Sequence, residues 1–576
     1  MSDAARLQAT QGSLLATTPN RWDWALLPFV LAVLAALAFG AMQMTRPFVL
    51  GQPTPISLDP LYLPYYLLRT MLRMFTALGF SLLFSFVFAA VAVKYRVAEK
   101  VLIPLLDVLQ SVPILGFQAI AIAPFIALFP GQLLGVECAA VFAIFTSQAW
   151  NMAFSLYQSM RTVPPELHEA ARVFQLSGWQ RFWRLELPFA MPGLLWNMMM
   201  SMSGGWFFLV AAEAVSVAGQ DIKLPGIGAY IAVAIEAKDL HAISGAIVAM
   251  LAGILLYDQL FFRPLLAWAD KFRFEETQGE GAQSSWLLDW MRRSNWSRVL
   301  SRRLGVLAGR ALGWFGNERR SVSSSRRSFT FSLPERGWDA VILVVALLAA
   351  IRFVLFIHST VGWSEVAHVV GLGCITLARV MLLIALASLF WVPVSVWIGL
   401  RPRYAQGVQA AAQFLAAFPV NLMFPLVVFL LVHFRLNPDI WLSPLMVFGT
   451  QWYILFNVVA GASAIPNELR LAADNLGLTG WMKWKRFYLP AIFPSFVTGA
   501  ITASGGSWNA SIVAEYVSWG RTTLEANGIG SYIKQMTDVG DFHRIALGIG
   551  VMCIFVMLLN RFFWRRLYLL AEDRSR

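Results

Sequence analysis

The chain is poor in charge and nearly devoid of cysteine. Of its 576 residues only 13% are charged while 58% are hydrophobic, and the mean hydropathy is +0.62. A water-soluble fold could not hide that much apolar surface, so the composition belongs in lipid. The three cysteines, Cys138, Cys374 and Cys553, each sit in an apolar run. That excludes a disulfide framework and reads as packing. No GxxxxGK[ST] phosphate loop is present, so the chain does not itself hold ATP and Mg. HExxH, the GxSxG nucleophile elbow and a CxxC pair are missing as well, which leaves no catalytic constellation, no metal site and no cofactor to expect. The six histidines are scattered.

Long apolar runs are what the chain does have. The first, about Trp24 to Met42, is long enough to cross the roughly 30 Å of hydrocarbon in a bilayer and too long for the apolar part of a cleaved signal. Further spans fall near 69–93, 101–129, 136–158, 188–218 and 240–262, and again near 338–357, 371–400, 405–434, 440–462, 490–518 and 541–563. The reading is an all-α polytopic membrane protein of about twelve spans, six in each of two tandem parallel halves. Its parts are a cytoplasmic N-terminus (1–23), a first domain (24–265), a basic cytoplasmic linker (266–337) and a second domain (338–570).

Lys and Arg in short loops set the orientation. Lys94, Arg96, Lys100, Arg401 and Arg403 fall on one side, with Arg6 and Arg21, which places both termini in the cytoplasm. Arg69 and Arg73, at an outer span end, run against that rule. Much of the net charge of +13 comes from the linker, where Lys and Arg outnumber acids and Ser321 to Ser328 is a polar, Arg-studded run. Trp286, Leu287, Leu288, Trp290 and Met291 beside Arg292 and Arg293 suggest a basic amphipathic helix lying on membrane lipid. Nucleic-acid binding is the alternative for such a stripe; beside so many spans, a topology signal is the simpler account, and no nucleic-acid partner is expected.

One segment occurs twice. Pro164-Pro165-Glu166-Leu167-His168-Glu169-Ala170-Ala171 continues to Gly178-Trp179 and Leu187-Pro188. The second copy, 302 residues later, is Pro466-Asn467-Glu468-Leu469-Arg470-Leu471-Ala472-Ala473, continuing to Gly480-Trp481 and Leu489-Pro490. The same offset holds at Glu213/Glu515, Gly226/Gly528, Tyr230/Tyr532, Asp239/Asp541 and His241/His543, which means a duplicated unit. Pro suits a helix start, and the following Glu favours the positive end of the helix dipole. The Ala pair leaves a thin face, Gly178 or Gly480 breaks the helix, and a cationic stretch with Arg181, Arg184, Lys483, Lys485 and Arg486 leads to the next span. Each copy reads as helix, turn, short helix between two spans.

This pattern resembles the EAA loop of the membrane subunits of ATP-binding-cassette importers. Asp107-Val108-Leu109-Gln110-Ser111-Val112-Pro113 and Val210-Ala211-Ala212-Glu213 are similar to stretches in the nitrate, taurine and sulfonate group. The resemblance implies a fused double-length permease in the bacterial inner membrane, with ATP hydrolysed by two separate cassette ATPase subunits. Glu166, Glu169, Ala170, Ala171, Gly178, Glu468, Ala472, Ala473, Gly477 and Gly480 would grip those subunits. An extracytoplasmic binding protein would deliver a small anion such as nitrate, bicarbonate or a sulfonate. Each copy departs from the pattern once: Gln175 stands where Gly is expected, and Leu471 replaces the Glu, so the two loops should be unequal.

Polar groups inside spans usually face a bundle interior or a water-filled path. Gln148, Asn151, Asn197, Trp206 and Glu213 in the first half, with Gln451, Ser507, Trp508, Asn509 and Glu515 in the second, outline such a path. The second half is the more polar, with Asn509 and Ser511 where the first has Phe207 and Leu209. Glu213 falls near the outer end of its span, where it could tie span ends together or serve a gate. Asp239-Leu240-His241 and Asp541-Phe542-His543 read as helix caps sooner than metal sites. Ser203-Gly204-Gly205 and Ser504-Gly505-Gly506 read as close-packing positions. The competing function is an ion-coupled secondary transporter with twelve spans, which would need buried ionisable groups near mid-membrane.

Overall fold

The computed structural model describes residues 21–47, 55–217, 220–269, 285–316, 335–519 and 522–575. Arg6 and most of segment 1–23, and the Ser321–Ser328 run of the linker, lie outside the described residues. Among the described residues nine helices are long and apolar enough to cross a membrane, or up to twelve if each of three bent pairs counts as one span. Helices are the outcome because lipid offers backbone N–H and C=O groups no partners, so each span must satisfy its own.

The first half runs α1 (Arg21–Met44), α2 (Leu63–Lys94), α3 (Arg96–Ser111), α4 (Ile114–Leu128), α5 (Leu134–Arg161), the short α6 (Pro165–Val173) and α7 (Gly178–Arg181), and α8 (Leu187–Glu213). A two-residue-linked hairpin, β1 (Ala214–Val217) with β2 (Gln220–Lys223), is followed by α9 (Ile227–Glu236), α10 (Leu240–Tyr257) and α11 (Arg263–Ala269). The linker contributes α12 (Trp286–Arg293) and α13 (Asn295–Gly316), which pack on α1, where Asp23 accepts from Ser294 Oγ at 2.5 Å.

The second half repeats the order. It comprises α14 (Glu335–His358), α15 (Trp363–Gly399), α16 (Pro402–Ala417), α17 (Phe424–Phe434), α18 (Pro438–Trp441), α19 (Leu445–Phe448) and α20 (Gln451–Ser463). Then come α21 (Asn467–Asn475), α22 (Gly480–Lys483), α23 (Leu489–Ala514), the hairpin β3 (Tyr516–Trp519) with β4 (Thr522–Glu525), α24 (Ile529–Val539), α25 (Phe542–Leu558) and α26 (Arg565–Ser575).

Three features differ from the spans read off the sequence. The run 101–129 is not one helix: α3 and α4 meet at 92°. Its counterpart bends by 74° near Pro419. Proline explains both breaks, since the residue before it is pushed out of the helical region: Val112 has ψ 127° and Phe418 has ψ 124°. The fifth spans end at Glu213 and Ala514, where the chain turns into hairpins instead of running on to 218 and 518. Lastly, Gly178 and Gly480 do not break the helix. The helices stop at Val173 and Asn475, and each glycine opens the next one, which runs through a π-helical turn (Phe182–Glu186 or Trp484–Tyr488) into α8 or α23. Of the cysteines, Cys138 and Cys553 are half-buried, but Cys374 is exposed on α15, so packing does not account for it.

Asp239 and Asp541 do cap α10 and α25: Asp239 Oδ1 accepts from the backbone N–H groups of His241 and Ala242, and Asp541 Oδ1 from that of Arg544. In each half α2 or α15 packs on the fourth span, and the fourth on α8 or α23, forming the core around Met74, Ile144, Leu194 and Trp206 in one half and Ile454, Ile492 and Trp508 in the other.

Candidate functional site

A helix of 27 residues is about 40 Å long, so α8 and α23 separate two faces of the molecule: the doubled segments lie at one end and the hairpins at the other. At the hairpin face each half is tied by an ionic clamp. In the first half Thr70 Oγ1 donates to Glu213 Oε1 at 2.7 Å, Arg73 Nη1 to the same oxygen at 2.6 Å, and the N–H of Gly228 to Glu213 Oε2 at 2.7 Å. Arg73 also donates to Glu137 through Nε (2.5 Å) and Nη2 (2.8 Å), and Arg69 donates to Glu137 at 2.5 Å. The glycines are needed here for approach: a Cβ on Gly226 would lie 2.3 Å from Glu213 Cδ. The second half reproduces this with Thr376 (2.8 Å) and Arg379 (3.3 Å) donating to Glu515, Gly530 N–H at 2.8 Å, and Asp439 accepting from Arg379 at 3.0 Å.

The two halves meet through their broken helices. The first turn of α4 faces α23, where the N–H of Ile114 donates to Asn509 Oδ1 at 2.9 Å. In the mirror position Asn421 Nδ2, just after the Pro419 break, donates to the carbonyl of Phe207 on α8 at 3.2 Å. At this seam lies a cavity of about 90 Å³ lined by Ser203, Phe207, Phe418, Thr450, Tyr453 and Gly506 among others. Ser203 also borders a larger vestibule of about 350 Å³ with Tyr257, Asp258, Arg263 and Gln413, so the two spaces adjoin. Both halves thus contribute to one narrow, mostly apolar centre with a few hydroxyl groups.

The doubled segments project from the opposite face. Glu166, Glu169, Ala170, Glu468 and Ala472 are exposed, while Ala171 and Ala473 are buried beneath them. Each segment ends its first helix in a left-handed residue: Gln175 has φ 51° and Gly477 φ 67°. The geometry is matched, since Leu176 N–H reaches Ala171 O and Leu478 N–H reaches Ala473 O. Gln175 adopts the conformation that the sequence left open, at a cost of about 1–2 kcal/mol for a side-chain-bearing residue. Just beyond it, Ser177 and Gln180 form a reciprocal capping box that Thr479 lacks.

Residues 60–262 and again 391–576 match the family described as the binding-protein-dependent transport system inner membrane component. The chain belongs to this family. It is a double-length permease, and its second unit extends further towards the N-terminus than the match, because Thr376 and Arg379 on α15 stand where Thr70 and Arg73 stand on α2. The nitrate import permease protein NrtB of Synechocystis sp. is 28% identical over 157 residues, 27% of this chain and 51% of that protein. The bicarbonate transport system permease protein CmpB of Synechococcus elongatus is 25% identical over 169 residues, 29% of this chain and 54% of that protein. The permease therefore spans about half the length of the curated relatives it matches.

None of the ten residues expected from sequence to outline a path lines either of the permease's two spaces, the seam cavity or the vestibule. Gln148 accepts from Ser81 and donates to Met74 Sδ, Asn151 donates to Ser201, Asn197 to Ser155, and Gln451 accepts from Trp391. All four bridge helices. Ser507 bonds Thr450, a cavity residue, at 3.0 Å, and Asn509 holds the seam. Trp206 and Trp508 are buried, packed on Tyr257 and Phe555, with indole N–H groups that find no partner among the described residues. Glu213 and Glu515 belong to the clamps. Of the clamp and cavity residues, Arg73 stood out in the sequence only as a topology anomaly, and Thr70, Glu137, Arg379, Asp439, Thr450 and Tyr453 did not stand out at all. A signal existed: Thr70/Thr376 and Arg73/Arg379 repeat at an offset of 306, one helical turn out of step with the 302 of Glu137/Asp439.

The clamps also bear on the secondary-transporter reading. Among the described residues Arg69, Arg73, Glu137, Glu213 and Glu515 are buried within the spans, yet they are paired at the hairpin end, which gives them a structural task. Among the described residues no group of three or more metal-binding side chains exists.

Proposed function

We propose that the permease forms the membrane path of an importer for a small anion of the nitrate or bicarbonate kind, driven by separate ATPase subunits at its cytoplasmic, segment-bearing face. The observation that carries this reading is the pair of exposed segments. Phe174 and Leu476, at equivalent positions just past the first helices, are 76% and 78% exposed, although each follows a helix end rigid enough to repeat its hydrogen bonds. Exposed apolar residues on an ordered projection mark a docking surface, and two such projections on one face suit two ATPase subunits, identical or of two kinds. Drawing the projections together would switch the path through a two-state rearrangement of the halves. An extracytoplasmic binding protein would load the hairpin face.

The anion assignment rests on the names of the relatives and on the pairing of Glu213, Glu515 and Glu137. With those carboxylates held by Arg and Thr donors at the hairpin end, the lining of the cavity offers hydroxyl groups and no unpaired acid to repel a negative solute. The test is coexpression with candidate ATPase subunits, followed by reconstitution and uptake of labelled nitrate, bicarbonate and taurine. ATP-dependent uptake of one anion, lost on omitting the ATPase, is expected. ATP hydrolysis by the single chain, or uptake driven by an ion gradient alone, overturns the reading.

A further inference from the structure

The two halves differ sharply where the π-helical turns enter the membrane. In the first half Trp183, on the turn before α8, fills the angle between α8 and α2: its ring lies 6.3 Å from Phe86 and 5.6 Å from Trp179. The equivalent residues of the second half are Lys485 for Trp183 and Val392 for Phe86. Losing both rings opens a groove of about 760 Å³ between α15 and α23, walled by Leu389, Val392, Trp484, Phe493 and Phe496, with Lys485 at its mouth.

Charge and position identify what suits the groove. Its walls are apolar and open towards the side of the bundle, where lipid lies. Lys485 stands at the end of the span, at headgroup level, four residues before Leu489-Pro490. It is exposed and has no ion-pair partner among the described residues, whereas Lys483 beside it is paired with Asp474. Trp481 and Trp484 flank the mouth, the amphipathic residues favoured at this depth. A cation over an apolar trough needs a ligand that is anionic at one end and hydrocarbon at the other.

We propose that this groove is a binding site for one anionic phospholipid, its acyl chain along Val392 and Phe496 and its phosphate at Lys485. The first half has no such site, because Trp183 and Phe86 occupy the space. The site is independent of which solute the permease carries.

Native mass spectrometry of the delipidated full-length chain, titrated with phosphatidylglycerol or phosphatidylcholine, tests it. One saturable phosphatidylglycerol is expected, preferred over phosphatidylcholine. Lys485→Gln should cut that preference about fivefold, the worth of one cation near a charged headgroup. Val392→Phe/Lys485→Trp, which copies the first half into the second, should abolish saturable binding of either lipid, with thermal melting confirming that both variants are folded. Equal binding of the two lipids by the native chain, or unchanged binding by both variants, overturns the proposal. So does displacement of the lipid on adding the ATPase subunits, which would make the groove a protein interface.

Discussion

The clamp at the hairpin face exists twice, and the copies are not equal. In the first half Arg69, Arg73, Glu137 and Glu213 are all sealed from solvent, two cations against two acids. In the second, one cation serves two acids: Ile375 takes the place of Arg69, Asp439 is a carbon shorter than Glu137, and Asp439 stays 40% exposed. Arg379 retains 14% exposure where Arg73 has none. The difference shows how burial and charge balance constrain each other. A buried cluster has to be neutral, because an unpaired charge without water is costly. A cluster with a surplus acid must leave that acid partly in water. The first clamp is therefore rigid and closed, the second open to solvent on the hairpin face.

Removing the shared cation should break the symmetry most. Arg73→Met leaves Glu213 without a cation and Glu137 with Arg69 alone in a dry site, and should lower stability by about 3–5 kcal/mol. Arg379→Met should cost about 1–2 kcal/mol, because Asp439 is solvated and Arg379 meets Glu515 at 3.3 Å where Arg73 meets Glu213 at 2.6 Å. Thermal unfolding of the detergent-purified variants compares them, and equal losses would mean that solvent access does not distinguish the clamps.

The seam offers a smaller contrast. Asn509→Ala leaves the N–H of Ile114 without its acceptor, an orphaned donor worth about 1–3 kcal/mol. Asn421→Ala removes a second bond to the Phe207 carbonyl, which lies inside a helix, and should cost about 0.5–1.5 kcal/mol. Uptake should fall further in the first variant while ATPase subunits remain bound; loss of assembly instead would make the seam a packing contact only.

The smallest effect concerns the segments. Gln175→Gly relieves a positive φ and should stabilise the chain by about 1 kcal/mol, while Gly477→Gln should cost a similar amount. ATPase coupling measured beside melting temperature shows whether the strained segment is the weaker grip. If Gly477→Gln melts lower yet couples normally, the left-handed turn serves the fold alone.

Much of the architecture was legible because it follows from local rules. Apolar runs, the 302-residue repeat and the prolines at helix starts gave the helical spans and the doubled segments, and Asp before an apolar run gave the caps of α10 and α25. The breaks at Pro113 and Pro419 were legible too in principle, since a proline restricts the residue before it whatever surrounds it. The sites were less so. Gln148, Asn151 and Asn197 look the same in sequence whether they bridge helices or face a path, because polarity carries no direction.

Sequence by itself determined that this chain is a membrane protein built from one unit used twice, as its composition and repeat depend only on residues and spacing. Tertiary structure alone decided that Arg69 and Arg73, anomalous as topology signals, are clamp residues, because their partners Glu137 and Glu213 lie 64 to 140 residues away along the chain. It also decided that Trp183 fills a space which Lys485 leaves open. Such pairings are fixed by where helices cross, and crossing is a property of packed surfaces that no local pattern encodes.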